Sequence, residues 1–138
     1  SSQDDQWFDG VGNMLQDLKR QGVQLAVATG KSRRGLDRVL AKTQSQDLFV
    51  MTRAASETKS KPDPLMLQQI LDFTGIPANQ AIMVGDTSYD LEMAQRIDMP
   101  RVGVSYGVHH VDILKQYQPM TIANSVTELH HWLNTQVA

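Results

Sequence analysis

Two aspartates four residues apart, Asp86 and Asp90, follow the apolar run Ala81-Ile82-Met83-Val84 and a glycine, Gly85. The first falls at a strand end and the second in the first turn of the helix that follows. That placement suits a hard cation with oxygen ligands and several retained waters, such as magnesium. The same two positions also suit a helix N-terminus, where a carboxylate caps free amides and favours the dipole. Spacing alone leaves both readings open. Earlier, Thr29-Gly30 closes the run Leu25-Ala26-Val27-Ala28 and offers a hydroxyl and backbone amides at a helix start. This is either an anion site or an ordinary turn capped by Thr29 or Ser32. Lys61, in Ser60-Lys61-Pro62-Asp63-Pro64, either neutralises a phosphate or a nucleophilic carboxylate, or is simply solvated. The string Gly30-Lys31-Ser32 is no Walker loop, because that motif needs glycine where Leu25 stands. The histidines form adjacent pairs, His109-His110 and His130-His131, and neighbours on a helix diverge, so surface or boundary positions are expected.

The elements that must position these groups alternate in type. Val11, Leu15 and Leu18 recur at helical spacing, with Gly22 as a stop. The run ending at Ala28 reads as a buried strand, followed by a helix through Leu36, Val39 and Leu40 and a second strand at Leu48-Phe49-Val50-Met51. Pro64 opens a helix that stops at Gly75. A third strand at 81–84 leads into a helix carrying Leu91, Ala94 and Ile97, which halts before Pro100. Val102-Gly103-Val104 and the shorter Thr121-Ile122-Ala123 give two more strands. Ser125 with Glu128 marks the start of a last helix bearing Leu129, Trp132 and Leu133. Such alternation implies right-handed βαβ units and an α/β, doubly wound, Rossmann-like parallel sheet in three layers. In open sheets of this kind, ligands gather at the carboxyl ends of the strands, where Thr29, Gly30, Asp86 and Asp90 fall.

Composition narrows the function classes. With 138 residues, 41% hydrophobic and 20% charged, the chain is a single globular domain. Its net charge of −2 argues against a general nucleic-acid binder, and the one basic cluster is Lys31, Arg33 and Arg34. The absence of cysteine excludes disulfides and thiolate zinc sites and suits the cytoplasm. The apolar runs are far too short for a membrane span. Residues 1–6 are polar and read as a frayed end or linker, leaving 7–138 as the folded core.

Threonine at one strand end, then Lys61-Pro62-x-Pro64, then Gly85-Asp86-x-x-x-Asp90 at a later strand end resembles the haloacid dehalogenase superfamily. The stretches Leu25–Ser32 and Met83–Ala94 are most similar to its phosphoglycolate phosphatase and β-phosphoglucomutase-like branch. The resemblance implies a magnesium-dependent phosphatase of a small phosphorylated metabolite that works through an aspartyl-phosphate. It implies that Thr29 and Gly30 hold the phosphoryl group and that Lys61 bridges it to the nucleophile. Asp86 would ligate magnesium, with Asp90 positioning the ion or its water. A phosphomutase of the same superfamily and a non-catalytic interaction domain are the alternatives. A phospho-receiver fails on order, since there the phosphorylated aspartate precedes the threonine and lysine.

The departure from that pattern is at the start. Family members open with a strand ending in Asp-x-Asp-Gly, whose first aspartate is the nucleophile, and no such motif occurs in these 138 residues. Phe8-Asp9-Gly10-Val11 resembles instead a phrase that follows the cap domain. The expectation is therefore a C-terminal core without its central first strand and cap, and inactive by itself. The strands on either side would then face a gap with unpaired backbone groups. Truncation of a longer protein, a rearranged pairing of the flanking strands, or a homodimer that fills the gap would each account for it.

Overall fold

The computed structural model describes residues 9–107 and 109–137. The expected linker over residues 1–6 lies outside them. In chain order the elements are α1 (Val11–Arg20), β1 (Ala26–Thr29), α2 (Arg33–Thr43), β2 (Met51–Ala54), α3 (Leu65–Thr74), β3 (Met83–Gly85), α4 (Ser88–Gln95), β4 (Arg101–Val104), α5 (Val111–Lys115), β5 (Ile122–Ala123) and α6 (Val126–Gln136). Local chemistry sets most of the ends. The Ser32 hydroxyl accepts from Gly35 N–H at 3.0 Å and starts α2, and Ser125 does the same for α6 through Glu128 N–H at 3.0 Å. Gly75, at φ +72°, closes α3 in the left-handed conformation.

All strand pairs are parallel, and they form two half-sheets. β1 pairs with β2 in the register Ala26 to Met51 through Thr29 to Ala54. β3 pairs with β4, and β4 with β5. No hydrogen bond joins β1 to β3 among the described residues, so the sheet is open between them. The gap expected from the sequence is present, and the flanking strands have not re-paired across it. Val84, in the middle of β3, is left 36% exposed.

Helices cover both faces and hold the half-sheets side by side. Ala28 of β1 packs with Met83 of β3 in a core built from Met66, Leu67, Met93 and Met99. On the opposite face, Leu25 and Ile82 pack against a core of Met14, Leu18, Val102, Val104, Leu129 and Leu133. Each such fully buried side chain contributes about 1.5–3 kcal/mol. The alternation of strand residues therefore assigns α1, α2 and α6 to one layer and α3, α4 and α5 to the other. Between Val102 and Val104, Gly103 points the other way, and a Cβ there would stand 3.3 Å from Leu114 of α5.

Two sequence expectations shift. The second strand is Met51–Ala54, not Leu48–Met51, because Gln46–Leu48 is a 3-10 turn and Phe49 packs into the Leu36 and Leu40 cluster. The true strand carries Thr52 and Arg53 and lies at the end of its half-sheet, where one polar side is tolerated. Helix α5 was not anticipated; it has five residues and one buried side chain, Leu114, too few for a periodic signal.

Candidate active site

The turn between β3 and α4 is built around a buried carboxylate. Asp90 is 3% exposed. Its Oδ2 accepts from the Thr87 hydroxyl at 2.9 Å and from Thr87 N–H at 3.2 Å, while its own N–H donates to Thr87 Oγ1 at 3.2 Å. This is a reciprocal capping box at the head of α4. The other carboxylate oxygen, Oδ1, pairs with Lys61 Nζ, and both side chains are largely buried, at 16% and 5% exposure. Lys61 arrives from the Pro-rich loop, where its bond to Pro62 is cis.

Gly85 is a requirement of this packing. A Cβ at that position would overlap the Cβ of Asp90 and stand 2.8 Å from its Oδ2. Gly107 is equally constrained, since a Cβ there would overlap the side chain of Asp86, with Cγ at 2.7 Å. The Asp86 carboxylate is half-buried, and no side chain among the described residues donates to it. Burial first, and then the negative charge of Asp86, push the Tyr106 phenol above its usual pKa.

Thr29 and Gly30 stand at the carboxyl end of β1, on the far side of the open gap. The Thr29 hydroxyl accepts from Lys31 N–H at 3.1 Å, and Gly30 is exposed, with nothing within 4 Å of a would-be Cβ. No hydrogen bond links either residue to Lys61, Asp86 or Asp90 among the described residues. The structure thus joins Lys61, Asp86 and Asp90 through one turn and leaves the Thr29-Gly30 turn as a separate, open element.

Of the basic cluster, Arg33 is turned to a structural use. Arg33 donates to Asp37 Oδ1 at 3.1 Å, to the Thr52 hydroxyl at 2.9 Å and to Glu57 Oε2 at 3.3 Å, tying α2 to the end of β2. The hydrogen bond from Arg33, then that from Ala54 N–H, holds the Glu57 carboxyl below its usual pKa. His109 takes one of the surface or boundary positions the sequence predicts for the histidines, and from there it enters the site turn. Its Nδ1 accepts from Ser88 N–H at 2.9 Å and its own N–H donates to the Asp86 carbonyl at 3.2 Å. Nothing in the sequence marks it, because 21 residues separate it from Ser88.

Residues 2–104 match the model of a family described as haloacid dehalogenase-like hydrolase. The chain belongs to that family. Over 123 residues it is 35% identical to a protein named "Probable phosphatase IndB" from Dickeya dadantii, covering 88% of this chain and 54% of the relative. It is 30% identical over 128 residues to a phosphoglycolate phosphatase of Psychrobacter arcticus, covering 91% of this chain and 55% of that one. A solved structure from Thermotoga maritima described as a "putative beta-phosphoglucomutase" superposes with a TM-score of 0.85 at 18% identity, over 96% of this chain and 62% of the other, and shares the fold. The chain spans about half the length of the curated relatives it matches. Among the described residues, no helix is long and apolar enough to cross a membrane.

Whether this haloacid dehalogenase-like site can take a cation is a question of donor chemistry. Asp86 fits: a partly buried residue at a strand end, with no side-chain donor to its carboxylate among the described residues. Asp90 has both oxygens committed, to Lys61 and to Thr87, and so fits as a neighbour that fixes the turn from which Asp86 would hold a cation. No group of three His, Cys, Asp or Glu side chains gathers among the described residues, so water and phosphate oxygens would complete the shell.

Proposed function

We propose that this chain carries the phosphate- and cation-holding half of a magnesium-dependent phosphatase that acts on a small phosphorylated metabolite. The buried Lys61–Asp90 pair, at the same β3–α4 turn as Asp86, supports this reading, because it would bring one fixed cation and one carboxylate together at the carboxyl edge of the sheet. Lys61 would neutralise the phosphoryl group while staying anchored to Asp90. Thr29 and the Gly30 amide would hold phosphoryl oxygens from across the gap. Magnesium, held by Asp86, would supply charge neutralisation at those oxygens, which is where most of the catalysis of phosphoryl transfer resides.

The bond-making group is an aspartate in an extended strand seated between β1 and β3, forming an aspartyl-phosphate in the intact protein. The family to which the chain belongs and the open edges of β1 and β3 support that part of the reading. The 138 residues by themselves are then inactive, and a homodimer is a second way to cover the open edges. A cytoplasmic setting suits the cysteine-free composition. The test is hydrolysis of an aryl phosphate with magnesium. No turnover is expected from the chain alone, and turnover that Asp86→Asn abolishes is expected from a polypeptide in which an Asp-x-Asp-Gly strand precedes it. Turnover by the chain alone that Asp86→Asn removes would overturn the claim that the nucleophile lies elsewhere. A sedimentation coefficient of a monomer that unfolds cooperatively would rule out the homodimer.

A further inference from the structure

We propose that His109 is a positioning residue for Asp86, holding the strand-to-helix turn that aims the carboxylate. The inference rests on Asp86 being the cation-site carboxylate. With no side-chain donor to orient it among the described residues, Asp86 takes its direction from its own backbone and from what lies against it. His109 fixes that backbone at two points. Its N–H donates to the Asp86 carbonyl at 3.2 Å, and its ring Nδ1 accepts from Ser88 N–H at 2.9 Å. Ser88 is the first residue of α4, so its N–H is one of the donors that the helix itself leaves without a partner. Thr87 serves the N–H of Asp90, and His109 serves that of Ser88.

The ring is held in turn. It stands edge-on to Tyr89, with centroids 5.5 Å apart and an interplanar angle of 66°. Two residues earlier, Gly107 lies directly against the Asp86 side chain. The loop between β4 and α5 therefore grips Asp86 from two sides, its carbonyl through His109 and its carboxylate through Gly107. Acceptance at Nδ1 puts the proton of a neutral ring on Nε2.

Two substitutions separate positioning from bulk. Asparagine places Oδ1 where Nδ1 stands and can accept from Ser88 N–H, whereas leucine keeps the volume and loses the acceptor. In the chain, His109→Leu is expected to speed amide hydrogen exchange at Ser88 roughly five- to tenfold, the equivalent of one lost hydrogen bond. It is also expected to weaken the binding of Mn2+, used as a probe for the cation, while amides in the β4 core exchange as before. His109→Asn is expected to restore both readings. Unchanged Ser88 exchange in the leucine variant, or an asparagine variant no better than leucine, would overturn the proposal. A parent chain that binds no Mn2+ would sink the reading of Asp86 and the aiming role with it, while the exchange data still decide whether His109 holds the turn.

Discussion

Replacing Gly85 with alanine tests the site at its tightest point. The added methyl would overlap the Cβ of Asp90 and press on its Oδ2 at 2.8 Å. Because the overlapping atom is a Cβ, a rotamer change cannot relieve the clash, and the head of α4 has to move. That helix is locked by Leu91, Met93 and Ala94, each with no exposed surface. Overpacking of this kind costs about 1–3 kcal/mol. Disturbing the Thr87–Asp90 capping box adds about 1 kcal/mol. A total of about 2–4 kcal/mol corresponds to a fall in Tm on the order of 10 °C for a domain of this size. Thermal and urea unfolding followed by circular dichroism would measure it. The decisive form is a cycle with Asp90→Gly, which removes the atoms the methyl strikes. The alanine should cost under about 0.5 kcal/mol in that background, since the two sites touch and cannot be additive. An alanine tolerated in the parent, or equally costly in both backgrounds, would refute the argument.

Other outcomes follow from the same contacts. Lys61→Met should destabilise the chain by about 3–5 kcal/mol in urea unfolding, because it leaves Asp90 buried and unpaired, and adding Asp90→Asn should recover part of the loss. Ser32→Ala and Ser125→Ala should each cost about 1 kcal/mol and add independently, as they cap separate helices. The hydrogen bond from His130, 2.6 Å from Asp17, lowers the Asp17 carboxyl below its ordinary pKa of 3.8. A lowered folded pKa gives stability that is present above the unfolded value and lost as pH falls through the folded one. The stability difference between the parent and Asp17→Asn should therefore hold above about pH 4 and fade as the pH falls from there through the lowered folded value. Glu57→Gln should show the same sign of dependence, since Arg33 lowers the Glu57 carboxyl from 4.5.

The residue pattern by itself determined the class of fold and singled out the strand ends that carry the candidate site. Apolar runs ending in Thr29-Gly30 and Gly85-Asp86, with helical periodicity between them, are local signals, and local signals survive in one dimension. The Ser32 and Ser125 caps and the Gly75 stop were legible for the same reason. Only the tertiary structure decided what each side chain does. Asp90 reads in sequence as a ligand or a cap, and its capture by Lys61, 29 residues away, commits both of its oxygens. Arg33 reads as part of a basic cluster until Thr52 of β2 and Glu57 of the turn after it close on it. His109 and Gly107 reach the Asp86 turn only because parallel pairing of β3 with β4 brings their loop beside it. Such contacts depend on strand register and helix docking, quantities set by the whole packed core, and no spacing of residues along the chain records them.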